Sequence, residues 1–326
     1  MNKRARINIA TSLNSKYMRY TYVMLTSIFE NQPEDLDIHI YLLHNDLTET
    51  DKKYLQSVVE SYGGNLHLLH IDTSYFPKSC PISIQWSVEI YFRLMLQRIL
   101  PLDVDRILYL DVDIIVNQSL EELYCTDFEG NMLCACPDVF CGTFPDLRKE
   151  IFKEHLEKGF TYFNSGVMLL NIASMREKYC LEDYLKIAES LNYELVAPDQ
   201  DILNYMHWQE VKILDETQYN LFAKWAYNHE VHYEEVKEQV TIVHYIGYKP
   251  WSGESVHYDI EQLWWDYAKK TPFYVELMEE FVYETMNAPG VFAAMKKIRN
   301  EKKLLKEELA KSADLCQKLL QLLEKK

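Results

Sequence analysis

The sequence predicts an α/β fold in which a mostly parallel sheet is flanked by helices and followed by a helical C-terminal extension. Two observations support this prediction. Strand-like and helix-like segments alternate over the first two-thirds of the 326 residues, an order that is typical of right-handed βαβ units. From about residue 259 onward the pattern is helical. We therefore expect one domain at 1–257 and a helical extension at 258–326.

The predicted strands are short apolar segments bounded by turn residues. In chain order they lie at 6–11, 37–43, 65–71, 106–110, 131–136, 166–170 and 240–245. The predicted helices between them lie at 17–30, 48–62, 87–99 and 174–190. The second helix has clear boundaries, because Thr48 and Asp51 form a cap at its start and Gly63-Gly64 ends it. Ligands of such sheets bind at the carboxyl ends of strands, where we look for functional residues.

Composition and charge exclude several classes of protein. Apolar residues make up 48% and charged residues 26%, which is ordinary for a globular protein. No apolar run reaches the length of about 18 residues that a membrane span needs. The net charge of −16 argues against a nucleic-acid-binding protein. Neither G-x-G-x-x-G nor G-x-x-x-x-G-K-[ST] occurs, so a dinucleotide dehydrogenase or a P-loop NTPase is not expected. The N-terminal segment lacks a signal-peptide pattern, which predicts a cytoplasmic protein.

The tetrapeptide Leu-Asp-Val-Asp occurs twice, at 102–105 and at 110–113. The first copy precedes a predicted strand, so we expect it in a solvated turn. In the second copy, Asp111 and Asp113 follow a buried strand and should emerge at the ligand edge of the sheet. Residues two apart in extended backbone face the same side, so both carboxylates can bind one cation, and oxygen ligands suit Mg²⁺ or Mn²⁺. A chance pair of carboxylates is the alternative.

Three further segments carry polar residues beside the ends of predicted strands or helices. Their candidate residues are Asn164 and Gly166 at 163–171, Asp199 and Gln200 at 198–204, and His244, Gly247 and Lys249 at 243–251. Each segment has an ordinary structural explanation, namely a turn, acids at a helix start and a hydrogen-bonding histidine. The functional alternative is that Asn164 reaches a sugar hydroxyl and that Gly247 and Lys249 hold an anion.

These four segments, in this order, resemble the pattern of glycosyltransferase family 8, which includes glycogenin and bacterial lipopolysaccharide galactosyl- and glucosyltransferases. The resemblance covers about residues 6–251 and includes supporting segments at 90–94, 105–111 and 126–131. It implies the type-A glycosyltransferase fold, with a Rossmann-like central sheet. It also implies a retaining, metal-dependent transfer of glucose or galactose from a UDP-sugar to a glycan, lipopolysaccharide or glycoprotein acceptor.

The resemblance implies a role for each matching residue. Mn²⁺, with Mg²⁺ as the alternative, would be held by Asp111, Asp113 and His244. The donor would be bound by Ala10 and Asn14 at the uridine and ribose, Arg93 at the sugar or diphosphate, Asp111, Asn164 at the hexose, and Gly247 and Lys249 at the diphosphate. The catalytic positions would be Gln200 and Asp199 beside the hexose and Asp138 near the sugar and acceptor.

Retention of the anomeric configuration leaves two mechanisms open. We prefer front-face attack by the acceptor, with a diphosphate oxygen taking its proton, because Gln200 matches the position of a nucleophile and is a poor one. Double displacement through Asp199 or Asp138 is the alternative. Two other functions also remain, namely a non-catalytic protein that binds sugar nucleotides or glycans, and a metal-dependent nucleotide-sugar pyrophosphatase.

The C-terminal segment 296–326 differs in charge from the rest of the chain. It contains ten basic and five acidic residues among many leucines, whereas the whole chain is acidic. A basic amphipathic helix is typical of attachment to anionic lipid, which here would be the inner face of the membrane. A helical oligomer contact is the alternative.

Overall fold

The computed structural model describes residues 5–82, 87–139, 146–253 and 258–288, together with single positions between 299 and 312. Ten strands lie in these ranges: β1 (Arg6–Ser12), β2 (Asp37–His44), β3 (Asn65–His70), β4 (Ile107–Leu110), β5 (Ile114–Val116), β6 (Leu133–Pro137), β7 (Phe163–Leu170), β8 (Val211–Ile213), β9 (Leu221–Phe222) and β10 (Ile242–His244). Seven of them form one sheet in the order β3-β2-β1-β4-β7-β6-β8. The other three form a small sheet in the order β5-β10-β9.

Parallel pairing dominates the large sheet. β1 pairs in parallel with β2 and β4, β2 with β3, and β6 with β8, whereas β7 runs antiparallel to both of its neighbours. The predicted α/β fold with a mostly parallel sheet is therefore confirmed. Because β1, β2, β3 and β4 run in the same direction, their carboxyl ends meet at one edge, and Asp111 directly follows β4 there.

The small sheet brings a second strand end to the same place. In it, β10 pairs antiparallel with β5 and in parallel with β9, which sets His244 beside Ile114 and Phe222. The backbone N–H of Tyr245 donates to the carbonyl of Asp113 at 3.0 Å. The sequence predicts only β10 of this sheet, because β5 and β9 have three and two residues and show no periodic pattern.

Helices connect the strands and cover the large sheet. The α-helices of the described ranges are α1 (Met18–Glu30), α2 (Glu49–Ser61), α3 (Leu96–Ile99), α4 (Glu121–Tyr124), α5 (Asp146–Ile151), α6 (Lys153–Leu156), α7 (Ile172–Lys178), α8 (Leu181–Ser190), α9 (Pro198–His207), α10 (Glu216–Tyr219), α11 (Ala223–Asn228), α12 (Tyr233–Gln239), α13 (Glu261–Ala268) and α14 (Tyr274–Asn287). The 3₁₀ helices are Ser15–Tyr17, Thr73–Tyr75 and Val88–Met95. α2 has the predicted capping box between Thr48 and Asp51, and Gly63 follows it at φ +75°.

Two predicted helices differ from the structure in their interiors. The helix expected at 87–99 is a 3₁₀ helix up to Met95 and becomes α-helical only afterwards. The helix expected at 174–190 is two helices, α7 and α8, because Tyr179 and Cys180 have extended backbone. The carboxylate of Asp183 accepts a hydrogen bond from the backbone N–H of Cys180 at 3.0 Å and caps the second helix.

Contacts divide the chain into two units. The first comprises Met1–Pro250 and His257–Tyr274, and the second comprises Trp251–Val256 and Val275–Lys326. α13 packs within the first unit although the sequence assigns it to the extension, and the division at residue 257 stays a prediction. The membrane or oligomer contact predicted at 296–326 lies outside the described residues except for single positions. No described helix has the length and apolar character of a membrane span.

His207 is a buried histidine at the contact between α8 and α9 in the first unit. It lies in α9, where its Nε2 is 2.9 Å from the hydroxyl of Tyr184 in α8 and its Nδ1 is 3.3 Å from Glu210. Burial is the largest influence on the pKa of His207 and lowers it to about 4, although Glu210 acts in the opposite direction. The imidazole is therefore neutral at pH 7.

We expect acid to destabilise the fold through His207. Between about pH 6.5 and pH 4 the unfolded chain protonates this imidazole and the folded chain does not, so protonation favours unfolding. The difference between the two pKa values corresponds to a loss of about 3 kcal/mol in the free energy of unfolding once the pH has fallen to about 4. His207→Gln should flatten this part of the pH dependence of the free energy of unfolding, measured by urea denaturation, whereas His229→Gln at an exposed position should not. An unchanged slope in His207→Gln would contradict this assignment.

Candidate active site

Asp111, Asp113 and His244 form a cluster where β4 and β10 end. One ligand atom of each residue lies within 4.8 Å of the other two. His244 is buried, and its Nε2 lies 3.2 Å from Oδ1 of Asp113 and 4.0 Å from Oδ2 of Asp111. Two carboxylates and one imidazole suit a divalent cation. The three predicted metal ligands are thus brought together as a candidate cation site.

Gly166 in β7 allows this cluster to close. A Cβ atom at this position would lie 2.4 Å from Cε1 of His244 and 2.6 Å from Oδ2 of Asp111, which is closer than side-chain atoms approach one another. The carbonyl of Gly166 also accepts the backbone N–H of Asp111 at 2.8 Å. The backbone of β7 therefore packs directly against two of the three candidate ligands, and only glycine fits there.

Lys249 supplies a positive charge at the cluster. Its Nζ contacts the carboxylate of Asp113 and donates to the carbonyl of Tyr245 at 2.9 Å. Gly247, at φ +81°, lies in the turn that leads to this lysine. Burial alone would raise the pKa of Asp113, but the charges of Lys249 and His244 outweigh it and hold that pKa well below its usual range. Asp113 is therefore ionised.

Arg93 is a buried cation that joins this cluster to the start of α9. Its Nη2 donates to Oδ1 of Asp111 at 2.8 Å, and its Nε lies 3.1 Å from Oδ2 of Asp199. Its Nη1 donates to the carbonyl of Ser165 at 2.7 Å, and its guanidinium lies 4.3 Å from the ring centroid of Tyr109. Burial alone would lower the pKa of Arg93, but Asp111 and Asp199 raise it above its usual value.

Asp199 is a buried carboxylate in the first turn of α9. Burial is the largest influence on its pKa and raises it, whereas the charge of Arg93 lowers it. Oδ2 of Asp199 also accepts the hydroxyl of Ser165 at 3.0 Å. This oxygen is therefore held by an ion pair with Arg93 and by a hydrogen bond from Ser165.

Gln200 belongs to a chain of hydrogen-bonded side chains that reaches the candidate cation site. Its Nε2 donates a hydrogen bond to Oδ2 of Asp138 at 2.9 Å, and its Oε1 accepts one from Nδ2 of Asn164 at 3.0 Å. Oδ1 of Asn164 accepts Nδ2 of Asn220 at 3.0 Å, and Oδ1 of Asn220 lies 2.8 Å from Nδ1 of His244. Residues that follow β6, lie in β7, α9 and β10, and precede β9 are thus joined through polar groups, most of them buried.

The two residues predicted for the nucleoside lie at the end of β1. Ala10 is buried beside Tyr109 of β4, and the side chain of Asn14 caps the 3₁₀ helix that follows. Ser12, between them, shares a hydrogen bond with the hydroxyl of Tyr109 at 2.7 Å. Because the ring of Tyr109 lies against Arg93, the end of β1 is connected to the cluster through one aromatic side chain.

The sequence does not predict the role of two residues that hold this site together. Ser165 lies between Asn164 and Gly166 in the motif at 163–171. The motif does not predict its contacts with Arg93 and Asp199. Asn220 precedes the two-residue strand β9, and no sequence pattern marks it. Asn220 lies beside His244 because β9 pairs with β10.

Comparison with known proteins supports the assignment of the family. The sequence profile described as "Glycosyl transferase family 8" matches residues 8–255. A putative glycosyltransferase of Haemophilus influenzae is 27% identical over 294 residues, which cover 83% of this chain and 86% of that protein. A lipopolysaccharide 1,2-glucosyltransferase of Escherichia coli is 26% identical over 264 residues, which cover 77% of this chain and 75% of that protein.

A solved structure supports the same assignment. The galactosyltransferase LgtC in complex with donor and acceptor sugar analogs matches with a TM-score of 0.69 and 25% identity, over 82% of this chain and 96% of that one. The predicted type-A glycosyltransferase fold and the predicted family resemblance are both confirmed. Since the family profile spans most of the sequence, the chain belongs to glycosyltransferase family 8.

Proposed function

We propose that this chain is a retaining, metal-dependent transferase that moves glucose or galactose from a UDP-sugar to a glycan, lipopolysaccharide or glycoprotein acceptor. The observation that carries the proposal is the cluster of Asp111, Asp113 and His244, which Arg93 joins to the buried start of α9. The similar proteins include a glucosyltransferase and a galactosyltransferase, which supports a hexose as the transferred group.

The charged residues are suited to a reaction with a diphosphate leaving group. Asp111, Asp113 and His244 would hold Mn²⁺ or Mg²⁺, which when bound supplies positive charge against the leaving diphosphate. Lys249, whose ammonium lies against Asp113, contributes a second positive charge at the same place. Gly247 and Lys249 are accordingly our candidates for binding the diphosphate.

The buried polar residues support front-face attack by the acceptor. Oε1 of Gln200 already accepts two hydrogen bonds, from Asn164 and from the backbone of Ser165, and an amide is a poor nucleophile. Oδ2 of Asp199 is held by Arg93 and by a hydroxyl. Double displacement through Asp199 or Asp138 would have to break such contacts, so we favour proton transfer to a diphosphate oxygen.

The two alternative functions would use the same cation site in different ways. A pyrophosphatase attacks phosphorus and does not need Asn164 and Gln200 at the sugar, and a binding protein does not need reactive geometry at all. The hydrogen-bonded chain from Gln200 to His244 therefore favours the transferase. A cytoplasmic location and attachment of 296–326 to a membrane or a partner chain stay predictions.

Product analysis without an acceptor tests the proposed function. With UDP-glucose or UDP-galactose and Mn²⁺, we expect slow release of UDP and free hexose, and we expect EDTA to stop it. A retaining enzyme should release the hexose first as the α anomer, which proton NMR detects before mutarotation. UMP as the product would identify a pyrophosphatase, and tight UDP-sugar binding without any product would identify a binding protein.

The two Leu-Asp-Val-Asp copies provide a matched pair of variants. Asp113→Asn should weaken Mn²⁺-dependent binding of UDP at least about tenfold, because it removes a carboxylate from the candidate cation site. Asp103→Asn should leave this binding unchanged, since Asp103 is exposed and pairs with Arg6 at the surface. Isothermal titration calorimetry measures both affinities, and equal losses would show that the wrong copy was assigned.

Lys249→Met should separate cation binding from diphosphate binding. The ammonium of Lys249 competes with a cation for Asp113, so Mn²⁺ alone should bind this variant at least as tightly as the parent. UDP in the presence of Mn²⁺ should bind about tenfold more weakly, because a charged hydrogen bond to phosphate is lost. Lys212→Met, which removes an exposed pair with Glu129, serves as the control for calorimetry. A parallel loss of both affinities would make Lys249 a structural partner of Asp113.

A further inference from the structure

We propose that Asn220 is a positioning residue that keeps the proton of His244 on Nδ1 and leaves Nε2 for a cation. The same hydrogen-bonded chain fixes the orientation of the Gln200 amide at the other end. The inference follows from which atoms can donate and which can accept, because each amide and imidazole in the chain has one orientation that satisfies its neighbours.

Two backbone N–H groups set the direction of the chain. The N–H of Gly166 donates to one side-chain atom of Asn164 at 3.0 Å, so that atom is the carbonyl oxygen Oδ1. The N–H of Ser165 donates to Gln200 at 2.9 Å, which identifies Oε1 in the same way. A backbone N–H can only donate, so turning over either amide would set an NH₂ group against it and leave buried polar groups unpaired.

The orientation of Asn164 determines that of Asn220. Oδ1 of Asn164 accepts, so the atom of Asn220 that lies 3.0 Å from it is the donor Nδ2. Oδ1 of Asn220 then faces Nδ1 of His244 at 2.8 Å. A carbonyl oxygen cannot donate, so Nδ1 carries the proton whatever the charge of the ring. Nε2, which lies 3.2 Å from Asp113, is the nitrogen left for a cation.

Packing places the imidazole but does not choose its tautomer. The ring contacts the backbone of Gly166 on one side, and the ring of Phe222 lies edge-on at 5.7 Å between centroids. These contacts are apolar and are the same for both tautomers. Asn220 is itself 1% exposed, and strand pairing of β9 with β10 holds it beside His244. Two polar groups therefore face the ring: Asn220 favours a proton on Nδ1, and the carboxylate of Asp113 favours one on Nε2. The proton on Nδ1 depends on Asn220.

The remaining hydrogen bonds of this series extend the same orientation to Gln200 and Asp138, where we place the sugar. Asn164 donates to Gln200, and Gln200 donates to Asp138, so each link from His244 to Asp138 donates in the same direction. A carboxylate, which only accepts when ionised, ends the chain. The expected effect on turnover rests on the proposed function, whereas the tautomer of His244 does not.

Nitrogen-15 NMR of histidine-labelled, metal-free protein measures the tautomer directly. We expect the signals of His244 to show a proton on Nδ1, with or without a second proton on Nε2, which faces the carboxylate of Asp113. His244→Gln assigns these signals by their absence. Asn220→Leu should shift the ring toward the Nε2–H form and weaken Mn²⁺ binding, measured by electron paramagnetic resonance, about tenfold or more.

Two further variants separate the tautomer from general damage to the fold. Asn220→Asp still accepts from Nδ1 but cannot donate to Asn164, so it should keep the Nδ1–H form and the Mn²⁺ affinity while UDP release falls. Asn117→Leu removes another buried asparagine, which follows β5 and whose Nδ2 donates to backbone carbonyls. It should lower stability and leave the tautomer and the Mn²⁺ affinity unchanged.

A parent ring whose only proton is on Nε2 would overturn the proposal, as would an unchanged tautomer in Asn220→Leu. If Asn220→Leu does not fold, the parent spectrum and Asn220→Asp still decide the matter, because loss of the Nδ1–H form in Asn220→Asp contradicts it. A parent protein that has the expected tautomer and releases no UDP would refute the proposed function and leave the assignment of Asn220 standing.

Discussion

The site depends on the buried positive charge of Arg93. A guanidinium without access to water is stable in a protein only when carboxylates and carbonyl groups surround it, and here Asp111, Asp199 and Ser165 do so. These partners come from the bend after β4, from the start of α9 and from β7. The requirement to pair one charge therefore fixes three elements relative to one another, and with them the carboxylates that face the candidate cation site.

Around that charge, the backbone is closely packed and the buried polar groups are paired with one another. Gly166 lets the backbone of β7 approach Asp111 and His244 to a distance that any side chain would block. The polar groups enclosed in this way bond to one another in a continuous network from Asp138 to His244. Because a network whose members are all paired has few alternative arrangements, its donors and acceptors are oriented before any ligand arrives, which is what stabilisation of a developing charge requires.

Local patterns in the sequence predict the α/β fold and the carboxylate pair, and the family resemblance adds His244 to the candidate cation site. Apolar strands followed by polar residues place Asp111, Asp113 and His244 at strand ends, and caps set the limits of α2. The sequence does not predict β9, the break between α7 and α8, or the role of Asn220. These features depend on pairing between distant segments and leave no periodic signal in a stretch of two or three residues. The partners of Ser165 are likewise visible only after the chain has folded.

The most direct test of the account is the position of a cation. Crystals grown with Mn²⁺ and UDP, measured at the manganese absorption edge, should give an anomalous difference peak enclosed by Asp111, Asp113 and Nε2 of His244. The diphosphate should lie beside the same peak and contact Lys249. A peak at another place, or a diphosphate bound while these three residues hold no cation, would contradict the account.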